Sequence, residues 1–475
     1  MNNIFKVLFF TVSTFSLTSC SEVDMGTLSH TEEGLLSLSA QVVGESQVFT
    51  PTLKGPYKDG DVIEFKFPSP IETPVDLSKI KLIVSLENDC FVEPKLPGIV
   101  DLSSPYELNV KTSMGGVKTF TIIGTLVSPI CTFKKDWFKG GNDLGYEWPV
   151  WISSIAVSDD NIVLYDGVEN YPNSFIKVYD GETGALVKQI MAPVTWISQV
   201  KTDDAGHIVT VRQNIHAGGF MLYYYDTMDS NPKLLLNYSA DAGCQSMLGN
   251  RFNVVGNLAS GKAYVYVLAG NTYWGAQGKE YYRWEFYDGE LVEEIPKIVD
   301  FSAHVSSFWE TANVQRLNIT DDSDIYLSYY QYADTDTQQM LGSHIYCFNE
   351  DLNNITEMNR KNFDYKLLGF RVFEIENHRF LAMLTQAFGG ASVCVKVFDI
   401  SDKDDWANMQ PDKDNYNDFL IFESEQFSVN NINQWGDIAV NIDGNKAYIY
   451  GTIVSNDKSQ SGVVKLVMTY YPPQQ

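Results

Sequence analysis

The stretch Ile152-Ser-Ser-Ile-Ala-Val-Ser-Asp-Asp-Asn-Ile-Val-Leu-Tyr165 decides how this chain is read. Two apolar runs flank an Asp-Asp pair, and aspartates stabilise tight turns by hydrogen-bonding their own backbone, so the stretch predicts a β-hairpin. Phe175-Ile-Lys-Val-Tyr-Asp-Gly-Glu-Thr-Gly-Ala-Leu-Val-Lys-Gln-Ile190 adds two more strands around an Asp-Gly turn. The same order returns at Ile197-Ser-Gln-Val-Lys-Thr-Asp-Asp-Ala-Gly-His-Ile-Val-Thr-Val211, with Phe220-Met-Leu-Tyr-Tyr-Tyr-Asp226 behind it. Further starts stand at Phe252, Val314, Phe370 and Asp437. About six units of roughly 45 to 60 residues result, the period of propeller blades. Residues 131–475 are therefore expected to form a six-bladed β-propeller. The last unit, ending at Val463–Tyr470, is one strand short, and residues near Cys131–Trp137 are expected to supply its outer strand. A pair of β-sandwiches is the alternative, although its units would not share the acidic turn at matching positions.

Upstream, residues 34–128 keep a different rhythm. Leu35–Ala40, Val62–Phe67, Ile80–Leu86, Tyr106–Val110 and Thr119–Gly124 alternate apolar and polar residues as half-buried strands do. Several short strands in so few residues predict a β-sandwich. The chain is thus expected to be all-β, with helical periodicity confined to one turn at Asp404–Met409.

The segment Asp101-Leu-Ser-Ser-Pro-Tyr-Glu-Leu-Asn-Val-Lys-Thr-Ser-Met-Gly-Gly-Val-Lys-Thr-Phe-Thr-Ile122 is more specific. It resembles the closing hairpin of the N-terminal domain in a family of uncharacterised Bacteroidetes surface lipoproteins, in which an Asp-hydrophobic-Ser-x-Pro strand, a Gly turn and a Lys-Thr-aromatic strand recur. The resemblance implies an immunoglobulin-like sandwich followed by a propeller-like domain. It brings no catalytic residue with it.

The first residues set an address. Lys6, the apolar run Val7–Phe15 and small residues before Cys20 read as a secretion signal over residues 1–19, too short to span a bilayer. Leu17-Thr-Ser-Cys20 resembles the bacterial lipobox, which implies a lipidated Cys20 followed by a tether over residues 20–33. The expected location is the outer membrane, held by lipid alone and facing the cell exterior, with Glu22 and Asp24 supporting that address. The exported-protein O-glycosylation motif Asp226-Thr227-Met228 adds a little to it. The other five cysteines follow no CxxC or Cys/His pattern; Cys347 and Cys394 sit in apolar alternations as small hydrophobes, and at most one disulfide is expected.

Composition narrows the partners. With 60 acidic and 34 basic residues the net charge is −26, so phosphate backbones and anionic lipid headgroups are repelled, which disfavours nucleic acid. Aromatic residues reach 13%, as suits strands and binding surfaces. Near the starts of the inner strands stand Trp151, Trp196, Arg251, Arg316, Arg371 and Trp435, with Trp309 just upstream of one strand. Indole faces stack on sugar rings and guanidinium forks grip carboxylates or hydroxyls, so these residues suit an acidic or neutral glycan. The bland alternative is that the tryptophans pack between blades and the arginines pair with the abundant acids.

No cofactor is expected. Asp203-Asp204, Asp321-Asp322-Ser-Asp324 and Asp443-Gly444 invite calcium, but their recurrence at one hairpin is explained by turn chemistry. Asp412, Asp414, Asp418 and Glu423 match a calcium loop only in part, with Tyr416 where a ligand belongs. No GxSxG, HExxH, P-loop or GxGxxG motif follows a strand, and the six histidines show no paired spacing. The leading expectation is a binding protein that captures a glycan or a protein ligand. A propeller enzyme acting on carbohydrate, as a glycoside hydrolase or lactonase-like protein, competes with it, and membership of an outer-membrane uptake complex is a third reading.

Overall fold

The computed structural model describes residues 34–471 except 46, 70–74, 128–129, 147–153, 166–174, 195–196, 215–217, 270–277, 306–307, 309–310, 332–341, 354, 359–364, 388–391, 403–418 and 431–435. Cys20 and Asp404–Met409 therefore lie outside the described residues. The chain is all-β, and it divides into two compact units between Val127 and Ser128.

In the first unit Val48–Phe49, Leu35–Val42 and Ile80–Leu86 form one sheet, and Val62–Pro68, Val117–Val127, Tyr106–Lys111 and Phe91–Val92 form another. The expected alternation is realised along Val62–Pro68, where Ile63, Phe65 and Phe67 are buried while Val62 and Lys66 face solvent. Leu38, Ala40 and Leu82 from the first sheet meet Phe65, Leu108, Phe120 and Ile122 from the second in a single core. Each such side chain contributes about 1.5–3 kcal/mol on burial.

Among the described residues the second unit contains six sheets. The first runs Ser154–Ser158, Asn161–Tyr165, Phe175–Asp180 and Leu186–Met191, each strand antiparallel to the one before. The next four open with Ile197–Thr202, Leu248–Gly256, Asn313–Arg316 and Tyr365–Ile375 in turn, and the sixth opens with Ile438–Asp443. Every one of these leading strands lies at the edge of its sheet. The sixth sheet takes its fourth strand from far upstream: Cys131–Gly140 pairs with Gly462–Tyr470, with Trp137 opposite Lys465 and Cys131 opposite Tyr470. The strand expected near Cys131–Trp137 is thus found in that place.

Consecutive sheets share apolar layers. Along Ser154–Ser158, Ile155 joins Ala439 and Tyr450 of the sixth sheet, whereas its neighbour Ala156 joins Ile197 and Val200 of the second. Equivalent layers lie between the second and third sheets around Phe220, Phe252 and Trp284, and between the third and fourth around Tyr266, Phe301 and Ile325. The fourth and fifth meet at Ile345 and Phe370, and the fifth and sixth at Phe380, Val395 and Ile449. Because both faces of each sheet are covered, the strands read as nearly continuous apolar runs rather than clean alternations.

Edge strands expose a row of unpaired backbone groups, and here side chains of one leading strand satisfy those of the next. Ser154 Oγ donates to Val200 O at 2.8 Å and accepts from Val200 N at 2.9 Å. Gln199 Oε1 accepts from Phe252 N at 3.1 Å, and Gln315 closes a two-bond clasp on Val372, 2.7 Å from Nε2 to O and 2.8 Å from N to Oε1. Asp437 Oδ2 accepts from Ile155 N at 3.3 Å, which joins the sixth sheet to the first.

The five cysteines of the described residues are all free, so no disulfide forms among them. Cys347 is half-buried among apolar side chains, whereas Cys394 is buried beside Thr385, 3.2 Å from Oγ1 to Sγ.

Candidate functional site

One cavity of about 520 Å³ receives residues from the leading strands of all six sheets: Ala156, Lys201, Asn253, Gln315, Arg371 and Ala439. Its volume falls within the roughly 300–1,000 Å³ of small-molecule sites. Asp159, Asp203, Asp204 and Asn441 line it where the leading strands turn into their second strands.

The charged centre of this region is Asp437, which is fully buried and contacts Lys201 Nζ through Oδ2. Arg251 lies on its other side, with NH1 3.8 Å from Oδ1 and NH2 donating to Gly436 O at 3.1 Å. Arg371 completes the group by its field on both Lys201 and Asp437. Three cations thus surround one carboxylate. Burial would raise the Asp437 pKa, but Lys201, Arg251 and Arg371 outweigh it and hold the carboxyl below its usual value. Burial, then repulsion from Arg371, lowers Lys201 to about 7 against the pull of Asp437. Burial likewise lowers Arg371.

Three of the leading strands also carry buried amides. Asn253 Oδ1 accepts from Val254 N at 2.9 Å and Asn313 Oδ1 from Val314 N at 3.0 Å, while Gln199 Oε1 accepts from Phe252 N. These bonds fix each oxygen, and Asn253 Nδ2, Asn313 Nδ2 and Gln199 Nε2 are left buried with no hydrogen-bond partner among the described residues.

The carboxylates at the turns are differently employed. Asp203 Oδ1 accepts from Ala205 N at 3.1 Å and His207 N at 2.9 Å, while Oδ2 accepts from Leu258 N at 2.9 Å and meets His207 Nδ1 at 2.9 Å. Asp204 Oδ2 accepts from Gly256 N at 2.7 Å; its pKa is raised chiefly by burial. Asp321 is almost fully exposed, 3.5 Å from Lys262. Among the described residues no group of three or more His, Cys, Asp or Glu is arranged to hold a metal ion. Of the partial calcium loop, Glu423 accepts from Lys396 Nζ at 2.5 Å, and Asp412, Asp414 and Asp418 lie outside the described residues.

Of the site residues expected from sequence, Arg251 and Arg371 are brought together around Asp437. Arg316 is placed elsewhere, between the third and fourth sheets. It donates to Glu350 Oε2 at 2.6 Å, Tyr266 OH at 3.0 Å, Asn318 O at 2.9 Å and Thr320 O at 2.5 Å, and it stacks 4.9 Å above the Tyr264 ring. Glu350 also receives Arg283 at 2.5 Å and Lys297 at 3.3 Å. Trp151, Trp196, Trp309 and Trp435 lie outside the described residues.

Sequence reasoning passed over Lys201, Asn253, Gln315 and Asp437 as site residues. A signal for them existed. The six leading strands carry five basic residues, Lys201, Arg251, Arg316, Lys366 and Arg371, against the two acids Glu374 and Asp443. That bias opposes the acidic balance of the whole chain and marks these strands as a cationic interior.

Residues 15–124 match DUF5018, a domain of unknown function, and the matched span contains the Asp101–Ile122 segment. The crystal structure of a DUF4623 family protein from Bacteroides eggerthii is similar at a TM-score of 0.51 and 15% identity, over 92% of this chain and 98% of that chain. That likeness is one of fold. The hydrazine synthase of Kuenenia stuttgartiensis aligns over 90% of this chain and 99% of that chain, at a TM-score of 0.37 and 10% identity. No curated protein matches the chain.

Proposed function

We propose that this chain is a lipid-anchored binding protein of the outer cell surface, in which an immunoglobulin-like sandwich precedes a closed six-bladed β-propeller that captures a glycan or a protein ligand. The observation that carries the reading is the cavity reached by the leading strands of all six sheets and lined by cations, carboxylates and amides. The propeller assignment is supported by the apolar layer between the sixth and first sheets and by the fourth strand that the sixth sheet takes from Cys131–Gly140. Such a strand joins the beginning of the unit to its end, as the closing blade of a ring does. The sandwich assignment is supported by two sheets sharing one core.

Binding is preferred to hydrolysis because Asp203 is tied down by three backbone N–H groups and His207, and a general acid or base needs an oxygen free for substrate. The test applies the full chain to an array of polysaccharides and assays new reducing ends in parallel. Retention of a polysaccharide without cleavage is expected, and release of reducing ends from it would replace the reading with an enzyme. The anchor is tested by Cys20→Ala in the producing cell, which should move the protein out of the membrane fraction; unchanged retention would refute lipidation.

A further inference from the structure

We propose that the hairpin Lys111–Val117 of the first unit dips an apolar tip, Met114 with Val117 and Phe91, into the lipid surface on which the chain is anchored. The inference rests on the lipid-anchor reading above and adds a second, non-covalent contact with the same membrane.

The first observation is place. The described residues begin at Gly34, whose carbonyl accepts from Glu87 N at 3.0 Å. A Cβ on Gly34 would stand 3.2 Å from Val110 and 3.4 Å from Thr112, so the preceding chain reaches the sandwich directly beside the hairpin. Residues 20–33 lie between the lipidated position and Gly34, and that length spans at most about 50 Å when fully extended. Val117–Val127 runs from the hairpin to the opposite end of the sandwich, roughly 35 Å away at about 3.3 Å per residue, and from there the chain continues into the second unit. The hairpin thus stands at the end where the anchor segment arrives.

The second observation is the side chains. Gly115 N donates to Thr112 O at 2.8 Å, and Gly115 takes the positive φ of 85° that closes the turn. Tight turns favour small or polar residues, and nothing in this one requires a methionine. Met114 is nevertheless 79% exposed, the most exposed large apolar side chain among the described residues. Phe91 pairs with Lys111 and Lys111 with Val117, which sets the three side chains in one row on one face of the sheet. Phe91 and Val117 are both exposed, and Lys111 Nζ lies 5.7 Å from the centre of the Phe91 ring.

Size and charge select the partner. Three side chains on a narrow turn offer about a few hundred Å², short of the roughly 1,000 Å² of a specific protein interface, whereas a membrane interface accepts a small apolar wedge beside a covalent lipid. The hairpin lysines are matched by acids: Glu93 lies 3.4 Å from Lys111, and Asp59 beside Lys118 accepts from Thr119 N at 2.8 Å. No basic patch forms there, so the contact is apolar and does not depend on anionic headgroups.

Methionine oxidation reads this contact. The chain from residue 20 onward is held on phosphatidylcholine vesicles by an N-terminal hexahistidine and a nickel-chelating lipid, which makes attachment independent of Cys20. It is treated with hydrogen peroxide beside the same chain free in solution. Met114 should oxidise at least about tenfold more slowly on the vesicles, because lipid shields its thioether, while Met191, exposed in the second unit, should keep its rate. Molar salt should leave the slowing intact. Val117→Asp and Phe91→Asp, both at exposed positions, should return Met114 to its free rate with an unchanged unfolding temperature. Equal Met114 rates on and off the vesicles, slowing that molar salt removes, or slowing retained in both variants would overturn the proposal. So would slowing that appears without vesicles and grows with protein concentration, which would put a second copy of the chain on the tip. Unchanged membrane retention of Cys20→Ala removes the lipid anchor without altering the oxidation result, and a failed oxidation test leaves the anchor standing.

Discussion

Lys201 and Asp437 form a buried ion pair across 236 residues of sequence, joining the leading strand of the second sheet to the start of the sixth. These two sheets are not neighbours in the chain; the first sheet stands between them. The contact therefore bypasses the first sheet rather than following an apolar layer, with Lys201 also lining the cavity and Arg251 approaching Asp437 from its other oxygen.

Asp437→Asn should destabilise the second unit by about 3–5 kcal/mol, because an amide cannot answer the charges of Lys201, Arg251 and Arg371 left in the interior. Lys201→Met should cost clearly less, since Asp437 retains the two arginines. Urea unfolding of both variants checks the order. A Lys201→Met loss equal to that of Asp437→Asn would mean that the pair acts alone and the arginines do not share the carboxylate.

The same cluster gives a pH dependence. The Lys201 pKa is lowered by folding, so between its folded value of about 7 and its ordinary value of 10.5 the unfolded chain binds more protons, and stability attributable to Lys201 rises with pH across that window. The charges that face Lys201 are Arg251, Arg371 and Asp437; burial lowers the Arg371 pKa, and the surrounding cations hold Asp437 below its usual value. Unfolding temperatures of the wild type relative to Lys201→Met, followed from pH 6.5 to about 9, should show this relative rise. A flat difference would mean that Lys201 stays charged in the folded protein.

Gln315→Leu tests how the leading strands are joined. Its amide both donates to and accepts from Val372, so leucine leaves a backbone N–H and a carbonyl of the fifth sheet buried and unanswered. A loss of about 2–4 kcal/mol is expected from two such groups. Gln315→Glu should recover part of it, because a carboxylate still accepts from Val372 N, while adding one negative charge to the cavity lining. Urea midpoints of the two variants provide the comparison.

Much of this arrangement was legible in the sequence. The hairpin Ile155–Tyr165 and its repeats announced the sheets because apolar runs around acidic turns leave few other conformations, and the missing strand of the last unit pointed to Cys131–Trp137. The site was less legible. Arg251 and Arg371 were visible as unusual residues in apolar strands, but Arg316 carries the same mark and is committed to Glu350. Lys201 stood inside the second repeat without being singled out, and Asp437 only marked the start of the last one. Their meeting depends on the order in which sheets close on one another, a relation between residues far apart that no local pattern encodes.

The strand Cys131–Gly140 offers the final test, because it holds the two ends of the second unit together by backbone pairing and by aromatic contacts. Phe133 stacks on Phe422 at 4.3 Å and Phe138 on Phe427 at 5.5 Å, so the strand grips the fifth sheet as well as pairing with the sixth. Both phenylalanines are half-buried, and replacing each by alanine should cost about 2–3 kcal/mol, somewhat below the loss for a fully enclosed ring. Gly462→Ala is more severe for a different reason: a Cβ there would stand 2.1 Å from Lys139 O, a backbone atom that cannot move without parting the strands. That variant should raise hydrogen exchange along Gly462–Tyr470 and Cys131–Gly140 together while leaving Leu35–Val42 and Ile80–Leu86 protected. Exchange confined to the immediate neighbours of Gly462 would show that the pairing does not close the unit cooperatively.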